Sequence, residues 1–145
     1  MKKYIQLILS KTFFIGFTFL FLIACKKDTA VAELNVTSKL LSDKTWYLDY
    51  AIITSAGNTT NKSYVGQSTY SINFLNNSTT TDSDGLAGVY SVEKINGQLQ
   101  IHVQVKTNNG NKIEYIYNIE SIGAKHLVLY YTTGQILTKQ YFSVK

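Results

Sequence analysis

Leu99-Gln100-Ile101-His102-Val103-Gln104-Val105-Lys106 is the stretch that decides the fold. Apolar and polar side chains alternate through it without a break. A period of two is the signature of a half-buried β-strand, because successive side chains leave opposite faces of the backbone. Asn96-Gly97 stands just before it, the dipeptide best suited to the two positive φ angles of a type I′ turn. Tyr90 and Val92 lie on the other side of that turn, so the segment predicts a β-hairpin.

The same period extends in both directions. Toward the N-terminus, Tyr70, Ile72 and Phe74 alternate with Ser71 and Asn73. Trp46, Leu48, Tyr50 and Ile52 alternate with Tyr47, Asp49, Ala51 and Ile53, which predicts one inward face carrying the first four. Toward the C-terminus, Ile113, Tyr115, Tyr117 and Ile119 form one face, then Leu127, Leu129 and Tyr131, and Leu137 to Val144 closes the chain. Ser55-Ala56-Gly57-Asn58, Asn76-Asn77-Ser78, Asp84-Gly85, Asn108-Asn109-Gly110-Asn111 and Thr133-Gly134 supply turn chemistry between the runs. Only Ser38 to Asp43 suggests a helical turn, with Leu40 and Leu41 facing inward. The pattern predicts an all-β, antiparallel meander of about eight short strands. Its edges must be hidden, by closure into a barrel or by pairing two sheets as a β-sandwich.

The N-terminus follows other rules. Lys2 and Lys3 precede an apolar run from Thr12 to Ile23, which is shorter than the roughly 20 residues needed to span a bilayer core. It has the proportions of a secretory signal. Leu22-Ile23-Ala24-Cys25 ends the run and resembles the lipobox of bacterial lipoproteins. The resemblance implies cleavage between Ala24 and Cys25, lipidation of the Cys25 thiol and anchorage to a membrane. Two or three acyl chains hold a protein on a bilayer stably, at roughly 0.8 kcal/mol per buried CH₂. Lys26-Lys27-Asp28 loosely resembles the surface-export signal of Bacteroidetes lipoproteins, and Asp28-Thr29-Ala30 matches the short pattern those bacteria O-glycosylate, on Thr29. Residues 1–24 are therefore expected to be a signal peptide. Residues 25–37 are expected to form a lipidated flexible tether, and 38–145 the folded domain.

Composition removes several function classes. The chain has no Arg, and its excess of lysine over acid is concentrated in the signal segment. No basic stripe remains to grip nucleic acid. Cys25 is the single cysteine, so stability must come from core burial rather than disulfides.

Leu41-Ser42-Asp43-Lys44-Thr45-Trp46-Tyr47-Leu48 resembles the opening strand of the small lipocalin-like domains of Bacteroidetes lipoproteins. Tyr70 to Phe74, Gly88 to Val92 with Leu99 to Ile101, and Tyr117 to Ile122 with Leu127 to Leu129 are similar to later strands of the same family. The resemblance implies an eight-stranded up-and-down barrel with Trp46 plugging its base. Such a barrel has room for side chains or for one small ligand.

Few residues suggest catalysis. His102 falls on the outward parity of its strand, and His126 sits beside Lys125 at a strand start. Asp82, Asp84 and Gly85 hint at a calcium loop but fall short of a ligand set. No metal site, cofactor or catalytic group is expected. The 11 tyrosines are the unusual feature. Tyrosine joins a large apolar body to a polar tip, which suits a cavity mouth or an exposed binding face. The expectation is a monomeric, non-enzymatic envelope lipoprotein on the outer membrane, at its periplasmic face or on the cell surface. It would bind a small apolar or amphipathic ligand near Trp46, Tyr90, Tyr115, Tyr117 and Tyr131. The alternative is a filled barrel that engages an envelope protein or a glycan through exposed aromatic side chains.

Overall fold

The computed structural model describes residues 29–65, 70–106 and 110–145. Contacts divide the chain into two units, Met1–Asn35 and Val36–Lys145. A helix, α1, covers residues 29–41. Nine strand segments follow: β1 (Lys44–Ser55), β2 (Asn58–Ser63), β3 (Ser71–Phe74), β4 (Thr79–Asp82), β5 (Ala87–Ile95), β6 (Gln98–Lys106), β7 (Lys112–Ile122), β8 (His126–Thr133) and β9 (Ile136–Ser143).

The second unit is a closed, eight-stranded antiparallel barrel of the lipocalin-like, up-and-down kind. Sequential strands pair, and β1 pairs with β9 to close the ring. Nine segments occupy eight positions because β2 and β3 share one edge of β1. Lys44 to Tyr47 pair with β3, and Tyr50 to Ser55 pair with β2. They are one strand interrupted by the segment between Ser63 and Ser71. Both Asn96-Gly97 (φ 52° and 83°) and Ala56-Gly57 (φ 48° and 81°) take the two positive angles of a hairpin turn. The β-sandwich alternative is not the fold adopted.

Two expectations need correction. The tether assigned to 25–37 is helical from residue 29, and Thr37 is only 3% exposed. Leu34, Thr37, Ser38 and Leu41 recur at the three-and-four spacing of one helical face, with a threonine where an apolar residue would have signalled it. The barrel unit accordingly begins before Ser38. The second correction concerns Tyr50 and Ile52, expected inward beside Trp46 and Leu48. A β-bulge between Leu48 and Tyr50 shifts the register against β9. One extra residue exchanges the faces of everything beyond it. Ala51 becomes the buried residue at 3% exposure, and Tyr50 stacks outside on Tyr141 with ring centroids 4.2 Å apart.

The core fills the base of the barrel. Leu41, Trp46, Leu48, Ile72, Phe74, Ile101, Val103, Ile119, Leu127, Leu129 and Phe142 form one buried cluster. Trp46 is fully buried and its indole N–H donates to the Leu41 carbonyl at 2.9 Å. Lys44 Nζ donates to the Leu40 carbonyl at 2.8 Å, and the Ser42 amide and hydroxyl both donate to the Ser38 carbonyl. Three carbonyls of the last turn of α1 thus receive side-chain donors, from Ser42, Lys44 and Trp46. Asp43 turns the chain with φ 58°, and its carboxylate accepts from the backbone and side-chain amides of Asn76.

The substitution Trp46→Phe keeps an aromatic ring but leaves the Leu41 carbonyl buried without its donor and opens a void. Urea unfolding is expected to show a loss of about 2–4 kcal/mol, with the slope unchanged.

Candidate functional site

The end of the barrel opposite Trp46 is built differently. The β7–β8 ladder stops at the Asn118–Tyr130 pair, although β7 reaches back to Lys112 and β8 runs on to Thr133. Beyond that pair the β7 ladder continues with β6 alone, and the β8 ladder with β9 alone. The two strands part, and the wall is split on that side. Ile113 and Tyr115 show the consequence. They hold the inward parity of β7, opposite Val105 and Val103, yet are 42% and 39% exposed.

A cavity of about 420 Å³ occupies the split, lined by Glu114, Tyr115, Ile116, Tyr117, Tyr131, Thr132 and Thr133. That volume falls within the range of small-molecule sites. Tyr117 and Tyr131 meet edge-to-face at its floor, with ring centroids 5.6 Å apart and planes at 88°. Across the interior, the Tyr70 hydroxyl donates to Asp82 Oδ2 at 3.1 Å. The other carboxylate oxygen of Asp82 accepts from the amides of Asp84 and Leu86. Asp82 therefore builds the β4–β5 turn and also brings a negative group to the inner face, opposite Ile72. Burial raises the Tyr70 phenol well above its ordinary range, with the Asp82 carboxylate adding to it. Burial also raises Tyr117, up to about 12, with smaller contributions from Tyr131, Tyr115 and Asp82. Both phenols are neutral hydrogen-bonding groups across the physiological range.

Of the tyrosines expected to line a site, Tyr115, Tyr117 and Tyr131 come together here. Trp46 and Tyr90 do not join them. Trp46 belongs to the base, and Tyr90 packs edge-on against Phe74 at 5.0 Å while donating to the Leu75 carbonyl. Ala24 and Cys25 lie outside the described residues. Thr29 is exposed at the start of α1. Tyr70, Asp82, Glu114, Thr132 and Thr133 were not anticipated. Parity could have placed Tyr70 with Ile72, but the split that recruits Glu114 and the threonines has no local signal.

A second cavity of about 400 Å³ lies over β5 and β6, lined by Ala87, Gly88, Val89, Gln104, Val105, Lys106 and Lys112. Its lining combines small and aliphatic residues with Gln104 and two lysines, and it holds no aromatic ring. His102 lies on the outer face between Glu114 Oε1 at 3.1 Å and Gln100 Oε1 at 3.2 Å. The Asp82–Leu86 segment is a turn in which the carboxylate caps backbone amides. Among the described residues, no three His, Cys, Asp or Glu side chains converge as a metal site would require. No helix among them is long and apolar enough to cross a membrane.

Fold and site together define a small closed β-barrel, plugged at its base and split at its open end over a tyrosine-lined cavity. Comparison with family models, curated proteins and solved structures returned no match to this chain.

The raised phenols give a stability signature in alkali. Neutral Tyr117 contributes fully below its unfolded value of 10.0 and loses that contribution as pH rises toward about 12. Absorbance titration should show a fraction of the tyrosine signal lagging above 10, from the raised phenols of Tyr70, Tyr90 and Tyr117. Tyr117→Phe should shrink the lagging fraction and flatten the fall in stability between those pH values.

Proposed function

We propose that this chain is a lipid-anchored envelope lipoprotein whose barrel binds a small apolar or amphipathic molecule. The cavity at the β7–β8 split carries the reading: about 420 Å³, lined by three aromatic rings with polar tips. Aromatic bodies supply apolar contact, and phenol and threonine hydroxyls fix orientation. The resemblance of Leu22-Ile23-Ala24-Cys25 to a lipobox supports an address on the outer membrane, at its periplasmic face or on the cell surface. The function is one of binding rather than catalysis.

One observation favours the rival reading, an interaction module for an envelope protein or glycan. Tyr50 and Tyr141 form a stacked pair on the outer face of β1 and β9, and Lys145 lies over the Tyr47 ring at 4.5 Å. Such a platform suits the flat apolar face of a sugar or a protein surface.

Native mass spectrometry of the protein isolated from its own envelope separates the two. Binding predicts a stoichiometric small molecule that is released on denaturation and reduced by Tyr117→Ala. An empty barrel, under conditions that retain ligand in a control lipocalin, overturns it.

The anchor has its own test. Cys25→Ser should abolish incorporation of an alkyne-tagged fatty acid and leave uncleaved precursor. Undiminished incorporation would overturn the lipoprotein assignment.

A further inference from the structure

Resting on the binding reading, the geometry points to a lateral portal between β7 and β8 that admits single-chain amphiphiles and selects against anionic head groups.

The lining of the cavity is the first observation. Side chains of alternating parity leave opposite faces of a strand. Here Tyr115, Tyr117, Tyr131 and Thr133 have inward parity, whereas Glu114, Ile116 and Thr132 have outward parity. All seven lie beyond Asn118–Tyr130, where β7 and β8 are no longer paired, so the cavity sits on an unpaired seam of the wall. A ligand seated there has one end inside the barrel and the other at the outer surface. That is the disposition of an amphiphile: an apolar tail against Tyr117 and Tyr131, and a polar head beside Glu114, Thr132 and Thr133. Ile116 is 43% exposed on the outer lip and extends the apolar track outward.

Charge is the second observation. Among the described residues, the one charged side chain lining this cavity is the Glu114 carboxylate. The acid nearest the phenols on the inner side is Asp82, hydrogen-bonded to Tyr70. His102 contacts Glu114 from the outer face, while Lys106 and Lys112 line the separate cavity over β5 and β6. Phenol and threonine hydroxyls donate or accept and so discriminate little between head groups. The two carboxylates repel an anionic head and favour a cation or a neutral donor. A fatty-acid anion is therefore the wrong ligand for this portal, and an alkylammonium or hydroxyl-headed chain the right one.

The test compares octylammonium and octanoate, which share a chain length and differ in the sign of the head, both well below micelle formation. Backbone amide resonances of the full chain are followed during each titration. Octylammonium is expected to shift residues 114–117 and 131–133 saturably, and octanoate to bind at least about fivefold more weakly. Glu114→Gln should bring the two affinities to within about twofold of each other, because it removes the nearer charge and keeps the shape. Octanoate binding as tightly as octylammonium overturns the charge selection. Saturable shifts confined to 55–58 and 83–86 overturn the lateral portal while leaving an interior ligand site standing. No saturable shift with either probe overturns the portal and the binding reading together.

Discussion

The hydrogen bond from the Trp46 indole to the Leu41 carbonyl is the interaction on which this architecture turns. A closed sheet has no edges along its sides, but its two ends remain open to water. This chain closes one end with the last turn of α1 and the largest side chain it possesses. A buried carbonyl at a helix terminus is costly unless a donor reaches it, and a buried indole N–H is costly unless it finds an acceptor. Each group resolves the other's deficit. Lys44 and Ser42 donate to neighbouring carbonyls of the same turn. Phe74, Leu127 and Phe142 then pack into the same cluster.

Closure at the base has a consequence for the other end. Fully buried residues concentrate around Trp46, while the interior nearer the opening holds side chains with polar tips. Gln140 and Thr138 alternate with Phe142 along β9, on the face opposite Leu129 and Tyr131 of β8. Tyr70, Tyr117 and Asp82 complete that layer. In this part of the barrel the β7–β8 ladder ends, at Asn118–Tyr130.

Much of this was legible in the residues themselves. Period-two alternation located nearly every strand, and Asn96-Gly97 gave the hairpin its turn because both residues accept positive φ. Parity placed Tyr117 and Tyr131 inside correctly. It failed at Tyr50 because a bulge is a property of two paired strands, and nothing in β1 alone marks where the extra residue falls. It missed the first turns of α1 for a related reason. Thr37 is buried by tertiary packing, and a threonine on a helix face carries no apolar signal. A broken strand also escaped notice, since Asn58–Ser63 is entirely polar and exposed, and only its pairing with β1 makes it a strand.

The split at β7–β8 lies furthest from the sequence. Lys112 to Glu120 alternates with only Ile116 breaking the polar parity, and an isolated hairpin of that pattern would pair along its whole length. The departure comes from what the barrel asks of both strands together. Glu120 forms a bulge between Ile119 and Ser121, and its carboxylate pairs with Lys139 on β9 at 2.6 Å. A bulge increases local twist and bends its strand. Below it, the hairpin at residues 122–126 stays tied to the base through the Lys44 and Val144 contacts with Ala124 and Lys125. Above it, β7 follows β6 while β8 remains bound to β9. Twist introduced at Glu120 must be taken up where no plug resists it, which is the tyrosine-lined end. The bulge, its ion pair and the opening are in this view one feature, and the cavity exists because the base does not yield.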